Sequence, residues 1–173
     1  MKETAIKAGE EILTIYNSEQ DLDVTYKEDE MPLTIADQLA NNIIVERLGT
    51  EFSEWEILSE ESKDNRKRLE NDYCFIVDPL DGTKEFVKHN GQFTVNIALS
   101  YKHKSVIGVI YVPVSGELFY ALNGKGAYYE KDHEKISIEV SSRNKKIRAV
   151  MSSSHGCEQM DQLIEKYNIK DCI

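Results

Sequence analysis

Two aspartates separated by two residues, Asp78 and Asp81, have the spacing in this sequence that points most directly to chemistry. They lie in the segment Asp78-Pro79-Leu80-Asp81-Gly82-Thr83, which directly follows an apolar run. Pro79 fixes one backbone dihedral angle and Gly82 permits a geometry that other residues resist, so the turn could bring both carboxylates to one point. Two carboxylates this close repel each other unless one takes up a proton or a cation lies between them.

The residue types around this turn indicate which cation would suit it. Asp and Glu supply hard oxygen ligands, and without a His or Cys ligand such a set favours Mg²⁺. A bound Mg²⁺ would also offset the acidic surface and allow a phosphate to approach. Residues 83–88 are predicted to form a short helix, whose first N–H groups suit a phosphate. Asp-Pro and Asp-Gly are equally ordinary turn formers, so the segment alone is also consistent with a simple turn.

Other polar residues could join such a site, although each also has an ordinary explanation. Glu60 and Glu61 follow a short predicted strand, where glutamates usually face solvent. Asp37 lies in the first turn of a predicted helix, where an acid compensates the helix dipole by about 0.3–1 kcal/mol. Thr83 and Lys84, taken alone, are a helix-start hydroxyl and a surface lysine.

A serine-rich run near the C-terminus is a further polar motif. It reads Ser152-Ser153-Ser154-His155-Gly156 and precedes a predicted helix at residues 158–167. Its hydroxyls are typical of a helix N-cap and could also hold an anion. His155 has no Ser or Asp partner visible in the sequence, so a catalytic triad is not predicted.

Two N-terminal helices are predicted from the hydrophobic periodicity, over residues 2–17 and 35–48. In the second helix, Thr34 is the expected N-cap and Gly49 the expected stop. The apolar stripe of this helix is predicted to consist of Ile35, Leu39, Ile43 and Leu48.

From residue 56 onwards the pattern is typical of β-structure. Residues 73–77 form an apolar run, which predicts a strand buried on both faces. Because the helices precede consecutive hairpins, the chain is predicted to be an α+β layered domain with two N-terminal helices packed on a mostly antiparallel sheet. The predicted strands are 56–58, 73–77, 93–101, 105–114, 116–122, 127–129, 136–140 and 147–152.

Composition and charge narrow the functional classes. The 173 residues are 40% hydrophobic and 30% charged, which is typical of a soluble globular protein, and the apolar run 106–114 is too short to span a bilayer. The formal net charge of −10 opposes binding to nucleic acid or to an anionic membrane. Three widely spaced cysteines without a zinc-type spacing predict reduced thiols and a cytoplasmic location.

Two motifs of the sequence resemble a known family. Leu58-Ser59-Glu60-Glu61-Ser62 and the Asp78–Thr83 segment together look like the paired motif of the inositol monophosphatase superfamily, which comprises Mg²⁺-dependent, lithium-sensitive phosphatases. Lys84-Glu85-Phe86 and the segment 90–99 resemble one branch more closely, the 3'(2'),5'-bisphosphate nucleotidases. This likeness covers essentially the whole chain and implies a sugar-phosphatase-like fold. It implies hydrolysis of a small phosphorylated nucleotide, adenosine 3',5'-bisphosphate, to AMP and phosphate, with inositol monophosphate or another sugar phosphate as the alternative substrate.

The resemblance also implies roles for individual residues. Glu60 and Asp78 would hold one Mg²⁺, with the Leu80 carbonyl and the Thr83 hydroxyl nearby, and Asp78 and Asp81 would hold a second. Asp37 would activate the attacking water together with the Thr83 hydroxyl and contact a third ion, which makes two or three ions in all. Hydrolysis would be direct and in line, without a phosphoenzyme.

The substrate phosphate would be held mainly by backbone N–H groups. The resemblance assigns this role to Gly82 and Thr83, with Lys84, Ser154 and His155 as further phosphate or substrate contacts. Ser153 stands where the family has Arg in a Ser-Arg-Ser-His segment, so one cationic contact is absent.

The sequence departs from the family towards its C-terminus. The family has a second domain with a Trp-Asp-x-Ala-Ala motif, and Trp55 is the single tryptophan here and lies outside such a motif. We therefore expect an N-terminal metal and phosphate domain over residues 1–145 and the start of a truncated second α/β domain over 146–173. The alternative is a catalytically incomplete module that binds metal or a partner. In either case, an exposed truncated face would favour self-association.

Overall fold

The computed structural model describes residues 1–18, 25–26, 32–140, 148–150, 158–169 and 171–172. The chain divides into two compact units, Met1–Ile138 and Glu139–Ile173, and each is described by itself. No helix among the described residues is both long and apolar enough to cross a membrane.

Two helices of the first unit, α1 (Lys2–Tyr16) and α2 (Ile35–Glu51), confirm the two predicted N-terminal helices. Between them, the two-residue strands β1 (Thr25–Tyr26) and β2 (Pro32–Leu33) pair antiparallel. Thr34 is the N-cap of α2, as predicted. The predicted stop at Gly49 is wrong, because α2 continues through this glycine to Glu51.

The buried face of α2 differs from the predicted stripe. Ile35 and Leu39 remain 45% and 40% exposed, whereas Leu48 is fully buried. Small alanines turn inward instead, which lets α2 approach its neighbours closely, and hydrogen-bonded polar residues share that face. A pattern that counts only large apolar side chains therefore selects the wrong face. The buried residues of α2 are Ala36, Asp37, Ala40, Asn41, Ile44 and Leu48.

A seven-stranded sheet forms the rest of the first unit. Its strands lie in chain order, and every neighbouring pair is antiparallel except the first pair, β3 and β4, which is parallel. This mostly antiparallel sheet beside two N-terminal helices confirms the predicted α+β class. The elements are β3 (Glu56–Ser59), a short 3-10 helix (Lys67–Leu69), β4 (Tyr73–Asp81), α3 (Thr83–Val87), β5 (Thr94–Tyr101), β6 (Lys104–Val112), β7 (Glu117–Leu122), β8 (Gly126–Lys131) and β9 (Glu134–Ile138).

One face of this sheet packs against the helices, and the other carries exposed apolar residues. Phe75 and Val77 of β4 are buried in the core with the helices, but Ile76 between them is 48% exposed. The prediction that the run 73–77 is buried on both faces is therefore wrong, because α1 and α2 supply apolar cover to one side only. We call the other side, which carries Ile76 and Ile110, the outer face.

The helix α1 lies close against the covered face. A Cβ atom built at Gly9 would be 2.5 Å from the Tyr111 ring on β6, so only glycine fits at this contact. Ala5, Ala8 and Ile12 of the same helix are fully buried. Small residues thus allow α1 to pack directly on the strands.

The second unit contains one helix and one strand pair among its described residues. α4 (Glu158–Lys166) confirms the predicted helix, and β10 (Arg148–Ala149) pairs in parallel with β11 (Asp171–Cys172). Ser154 and His155 lie outside the described residues.

Candidate metal site

The ends of the two parallel strands bring two acidic residues together. Ser59 on β3 pairs with Val77 on β4, and the backbone N–H of Glu60 donates to the Val77 carbonyl at 3.1 Å. Glu60 and Asp78 are the next residues along the chain, so they lie side by side where β3 ends and β4 continues. The Glu60 carboxyl consequently lies within hydrogen-bonding reach of the Asp78 carboxyl.

A bulge in β4 separates Asp78 from Asp81. Asp78 pairs with Asn96 and Asp81 with Thr94, so β4 carries one more residue than β5 over this interval. Pro79 lies inside the interval, and a proline cannot donate a hydrogen bond to a neighbouring strand. Asp81 is exposed and accepts a hydrogen bond from Asn96 Nδ2 at 3.0 Å. The predicted turn is thus a strand bulge that ends at Asp81.

The Asp78 carboxylate is held in an unfavourable environment. Its Oδ1 atom is buried and has no hydrogen-bond partner among the described residues. Burial, together with the negative charges of Glu60 and Asp81, raises the pKa of Asp78 to about 7. A cation at this point would satisfy the buried oxygen and relieve the repulsion.

The oxygen donors around Asp78 suit Mg²⁺, although the described side chains do not form a complete set of ligands around one point. No group of three or more His, Cys, Asp or Glu among the described residues stands close enough to hold a metal ion. The acidic groups around Asp78 offer only oxygen donors, and one of these oxygens is buried without a partner. Hard oxygen donors of this kind suit Mg²⁺. The assignment of Glu60, Asp78, Leu80 and Asp81 as ligands therefore stays a prediction.

Asp37 and Thr83, 46 residues apart in sequence, meet in the structure. Asp37 is 1% exposed, and its Oδ2 atom accepts the backbone N–H and the hydroxyl of Thr34 at 2.8 and 2.6 Å. Its Oδ1 atom accepts the hydroxyl of Thr83 at 3.1 Å. Burial raises the pKa of Asp37, while the hydrogen bonds from Thr34 and Thr83 oppose that rise. The capping acid of α2 is thus also the partner of Thr83.

The segment after the bulge turns sharply into α3. Gly82 has φ +98°, and a Cβ built on it would be 2.7 Å from the Gln92 carbonyl oxygen, so both conformation and space require glycine. The Thr83 hydroxyl also lies 3.3 Å from the Leu80 carbonyl. Lys84 is half-buried in α3, which has five residues.

The sequence model described as the inositol monophosphatase family matches residues 1–172. The chain belongs to the inositol monophosphatase family. The resemblance found in the paired acidic motif is therefore confirmed at the level of the family.

Several members of the inositol monophosphatase family are similar to this chain. The 3'(2'),5'-bisphosphate nucleotidase CysQ of Salmonella typhimurium is 37% identical over 94% of this chain and 65% of its own length. CysQ of Buchnera aphidicola is 40% identical over 97% of this chain and 63% of its own. The crystal structure of CysQ from Bacteroides thetaiotaomicron superposes with a TM-score of 0.79 at 39% identity, over 98% of this chain and 68% of that one. The chain thus spans a little under two thirds of these curated relatives.

The polar residues that support the acidic ones in this inositol monophosphatase family member were not predicted from the sequence. Asn41 lies one helical turn after Asp37, is 6% exposed, and contacts Ser59 and Ser62. Asn96 on β5 holds Asp81. The available signal was the spacing of four residues between Asp37 and Asn41, which places both on one helix face.

Proposed function

We propose that the chain provides the metal and phosphate site of a Mg²⁺-dependent phosphomonoesterase that hydrolyses adenosine 3',5'-bisphosphate to AMP and phosphate. The observation that carries this proposal is the 3.1 Å hydrogen bond between Thr83 and the buried Asp37, beside the paired carboxyls of Glu60 and Asp78. A hydroxyl coupled to a buried acid can direct a water molecule, and paired carboxylates can hold a cation. The two functions together are what phosphate hydrolysis requires.

Asp37 and Thr83 would orient the attacking water. Thr83 Oγ1 donates its proton to Asp37 Oδ1, so an Oγ1 lone pair can accept a proton of that water. The water oxygen then forms the new bond to phosphorus as the bond between phosphorus and the ribose oxygen breaks. The proton of the water passes to Thr83 Oγ1 as the Thr83 proton moves to Asp37 Oδ1, which later returns it to solvent, and the ribose oxygen takes up a proton from solvent. Thr34 keeps Asp37 in place, because its N–H and hydroxyl occupy the other carboxylate oxygen.

Glu60, Asp78, Asp81 and the Leu80 carbonyl would hold two or three Mg²⁺ ions. When bound, Mg²⁺ lowers the pKa of a water molecule and stabilises negative charge on the phosphate and on the leaving oxygen. The Asp78 Oδ1 atom is buried and accepts no hydrogen bond from the described residues. Among these ligand atoms, it would therefore be stabilised most by a bound cation.

The substrate would bind where backbone N–H groups follow the bulge. We assign the phosphate contacts to Gly82, Thr83 and Lys84. The preference for a nucleotide rests on the Lys84-Glu85-Phe86 sequence and on the names of the CysQ relatives. A cytoplasmic location would accompany such a substrate.

The test is phosphate release by the purified 173-residue chain. Adenosine 3',5'-bisphosphate and inositol 1-phosphate are each supplied with Mg²⁺, with EDTA, and with Mg²⁺ plus Li⁺. We expect Mg²⁺-dependent release from the nucleotide that Li⁺ inhibits. Asp37→Asn should lower kcat by at least about 100-fold, the smallest effect usual for a lost general base. Asp72→Asn, an exposed aspartate, is the matched control and should leave kcat unchanged.

Each result separates one interpretation from the others. Faster release from inositol 1-phosphate would replace the nucleotide by a sugar phosphate as substrate. If Mg²⁺ binds without turnover of either substrate, the chain is a metal-binding module rather than an enzyme by itself. If Asp37→Asn is fully active, the proposed role of Asp37 is wrong.

A further inference from the structure

Asn41 is a buried polar residue that none of the proposed catalytic steps uses. It lies on α2 one turn after Asp37 and is 6% exposed, whereas its neighbour Asn42 is exposed. A buried amide must satisfy both its donor and its acceptor, because an unmade hydrogen bond in the interior costs about 1–3 kcal/mol. The partners of Asn41 therefore show what this residue holds in place.

The partners of Asn41 are the two serines that flank Glu60 and Glu61. Ser59 Oγ donates to Asn41 Oδ1 at 2.7 Å, and Asn41 Nδ2 donates to Ser62 Oγ at 3.1 Å. The Ser62 N–H also donates to the Ser59 carbonyl at 3.2 Å, which closes the turn. The amide of Asn41 thus fastens both ends of the acidic turn to α2.

The same turn is fastened to β4 by its backbone. The Glu60 N–H donates to the Val77 carbonyl, one residue before Asp78. Glu60 is exposed, and its carboxyl reaches the Asp78 carboxyl from this turn. Its approach to Asp78 consequently depends on how firmly the backbone of the turn is held.

One face of α2 connects the two halves of the site. Asp37 reaches Thr83 after the bulge, and Asn41, four residues later, reaches the turn that carries Glu60. Residues four apart on a helix lie on the same face and keep a constant separation. The helix therefore fixes the distance between the water-orienting pair and the acidic turn.

We propose that Asn41 is a positioning residue that sets the place of the Glu60 carboxylate beside Asp78 and thereby the affinity of the site for Mg²⁺. This inference rests on the proposed function, because it assumes that Glu60 and Asp78 bind the ion. Loss of a residue that orients a metal ligand typically lowers metal affinity by about 10- to 100-fold.

The experiment is calorimetric titration of Mg²⁺ alone into the 173-residue chain, with thermal unfolding in EDTA recorded for every variant. Asn41→Ala should lower the Mg²⁺ affinity by at least about tenfold. Ser62→Ala should lower it by a smaller factor, and the double variant by less than the product of the two factors, since both changes break one contact. Asn42→Ala should have no effect.

A variant that only destabilises the helix separates positioning from general loss of stability. Ile44→Val removes one methyl group from the same buried face and leaves the hydrogen bonds of Asn41 with Ser59 and Ser62 in place. It should lower the free energy of unfolding by about 0.5–1.5 kcal/mol. Its Mg²⁺ affinity should equal that of the wild type. If Asn41→Ala does not fold, Ser62→Ala provides the same test from the other side of the contact.

The outcomes separate this inference from the proposed function. Wild-type chain that binds no Mg²⁺ overturns the proposed metal site and the inference with it. Wild-type binding with unchanged affinity in Asn41→Ala, or in Ser62→Ala where Asn41→Ala does not fold, overturns the inference alone. Equal losses of affinity in Ile44→Val and Asn41→Ala would also overturn it, because the effect would then follow stability rather than the position of Glu60.

Discussion

At the scale of single residues, Asp78 is a group that opposes folding when no cation is present. Its Oδ1 atom is buried without a hydrogen-bond partner among the described residues, and the Glu60 carboxyl is its neighbour. Asp78→Asn keeps the shape of the side chain and removes its charge. We expect this change to raise the free energy of unfolding in EDTA by about 1–2 kcal/mol, because a buried charge and a repulsion are removed.

The same substitution should remove the effect of Mg²⁺ on stability. A ligand at 100 times its dissociation constant stabilises a protein by about 2.7 kcal/mol, and this gain should appear in the wild type and be absent from Asp78→Asn. Chemical denaturation with and without Mg²⁺ measures both quantities. Asp72→Asn removes an exposed charge 3.6 Å from Lys102 and should change stability by less than about 0.5 kcal/mol. An Asp78→Asn variant that is less stable in EDTA would contradict the prediction.

Local residue patterns predicted the capping of α2 but not the full set of contacts around it. Thr34 could be identified as the N-cap from its type and position alone, since capping acts over three residues. The contact of Asp37 with Thr83 joins residues 46 positions apart and depends on how α2 packs beside β4. The spacing from Asp37 places Asn41 on the same helix face, but the partners of Asn41 could not be predicted, because they lie at the two ends of the turn after β3.

At the scale of secondary-structure elements, two glycines in helices should respond oppositely to the same substitution. Gly49 lies inside α2, and an added Cβ would be 4.0 Å from Ile57 Cδ1, an ordinary contact. Gly49→Ala should therefore stabilise the chain by about 0.5–1 kcal/mol. Gly9→Ala makes the same gain in helix propensity, but its Cβ would overlap the Tyr111 ring, and overpacking costs about 1–3 kcal/mol.

Unfolding in urea, followed by tryptophan fluorescence, measures both effects. Trp55 is the single tryptophan and stacks between Phe52 and Tyr73, so its emission reports on the first unit. Each glycine serves as the control for the other. Loss of stability in Gly49→Ala would contradict the continuation of α2 through this position, and a stable Gly9→Ala would contradict the close contact of α1 with β6.

Helix and strand types could be predicted from the sequence more reliably than the side each element buries. The order of helices and hairpins follows from local periodicity and turn residues, which is why the α+β class is correct. Which face of α2 is buried, and which face of β4 is exposed, depends instead on the elements that pack against them. Ile35, Leu39 and Ile76 have the side chains of core residues, yet each is 40% exposed or more because no element among the described residues covers it.

At the scale of the whole molecule, the outer face of the sheet should cause self-association. Ile76 and Ile110 on this face are 48% and 46% exposed, and a Cβ at Gly108, two residues before Ile110 on β6, would meet nothing within 4 Å. Burial of apolar surface contributes about 25 cal/mol per Å², so two such faces gain by contact. We expect the weight-average mass in sedimentation experiments to rise with concentration. Ile110→Thr should weaken this association, because it replaces exposed apolar surface by a hydroxyl at the centre of the face.

Leu39→Gln is the matched control for this association, since Leu39 is 40% exposed on α2 rather than on the sheet. If the outer face is the contact, Leu39→Gln associates like the wild type and Ile110→Thr does not. If both changes weaken self-association equally, exposed apolar residues promote it wherever they lie on the surface. A wild-type chain that stays monomeric at every concentration would contradict the prediction. The outer face would then be tolerated in water, because the neighbouring positions Ala98 and Gly108 add little apolar surface to it.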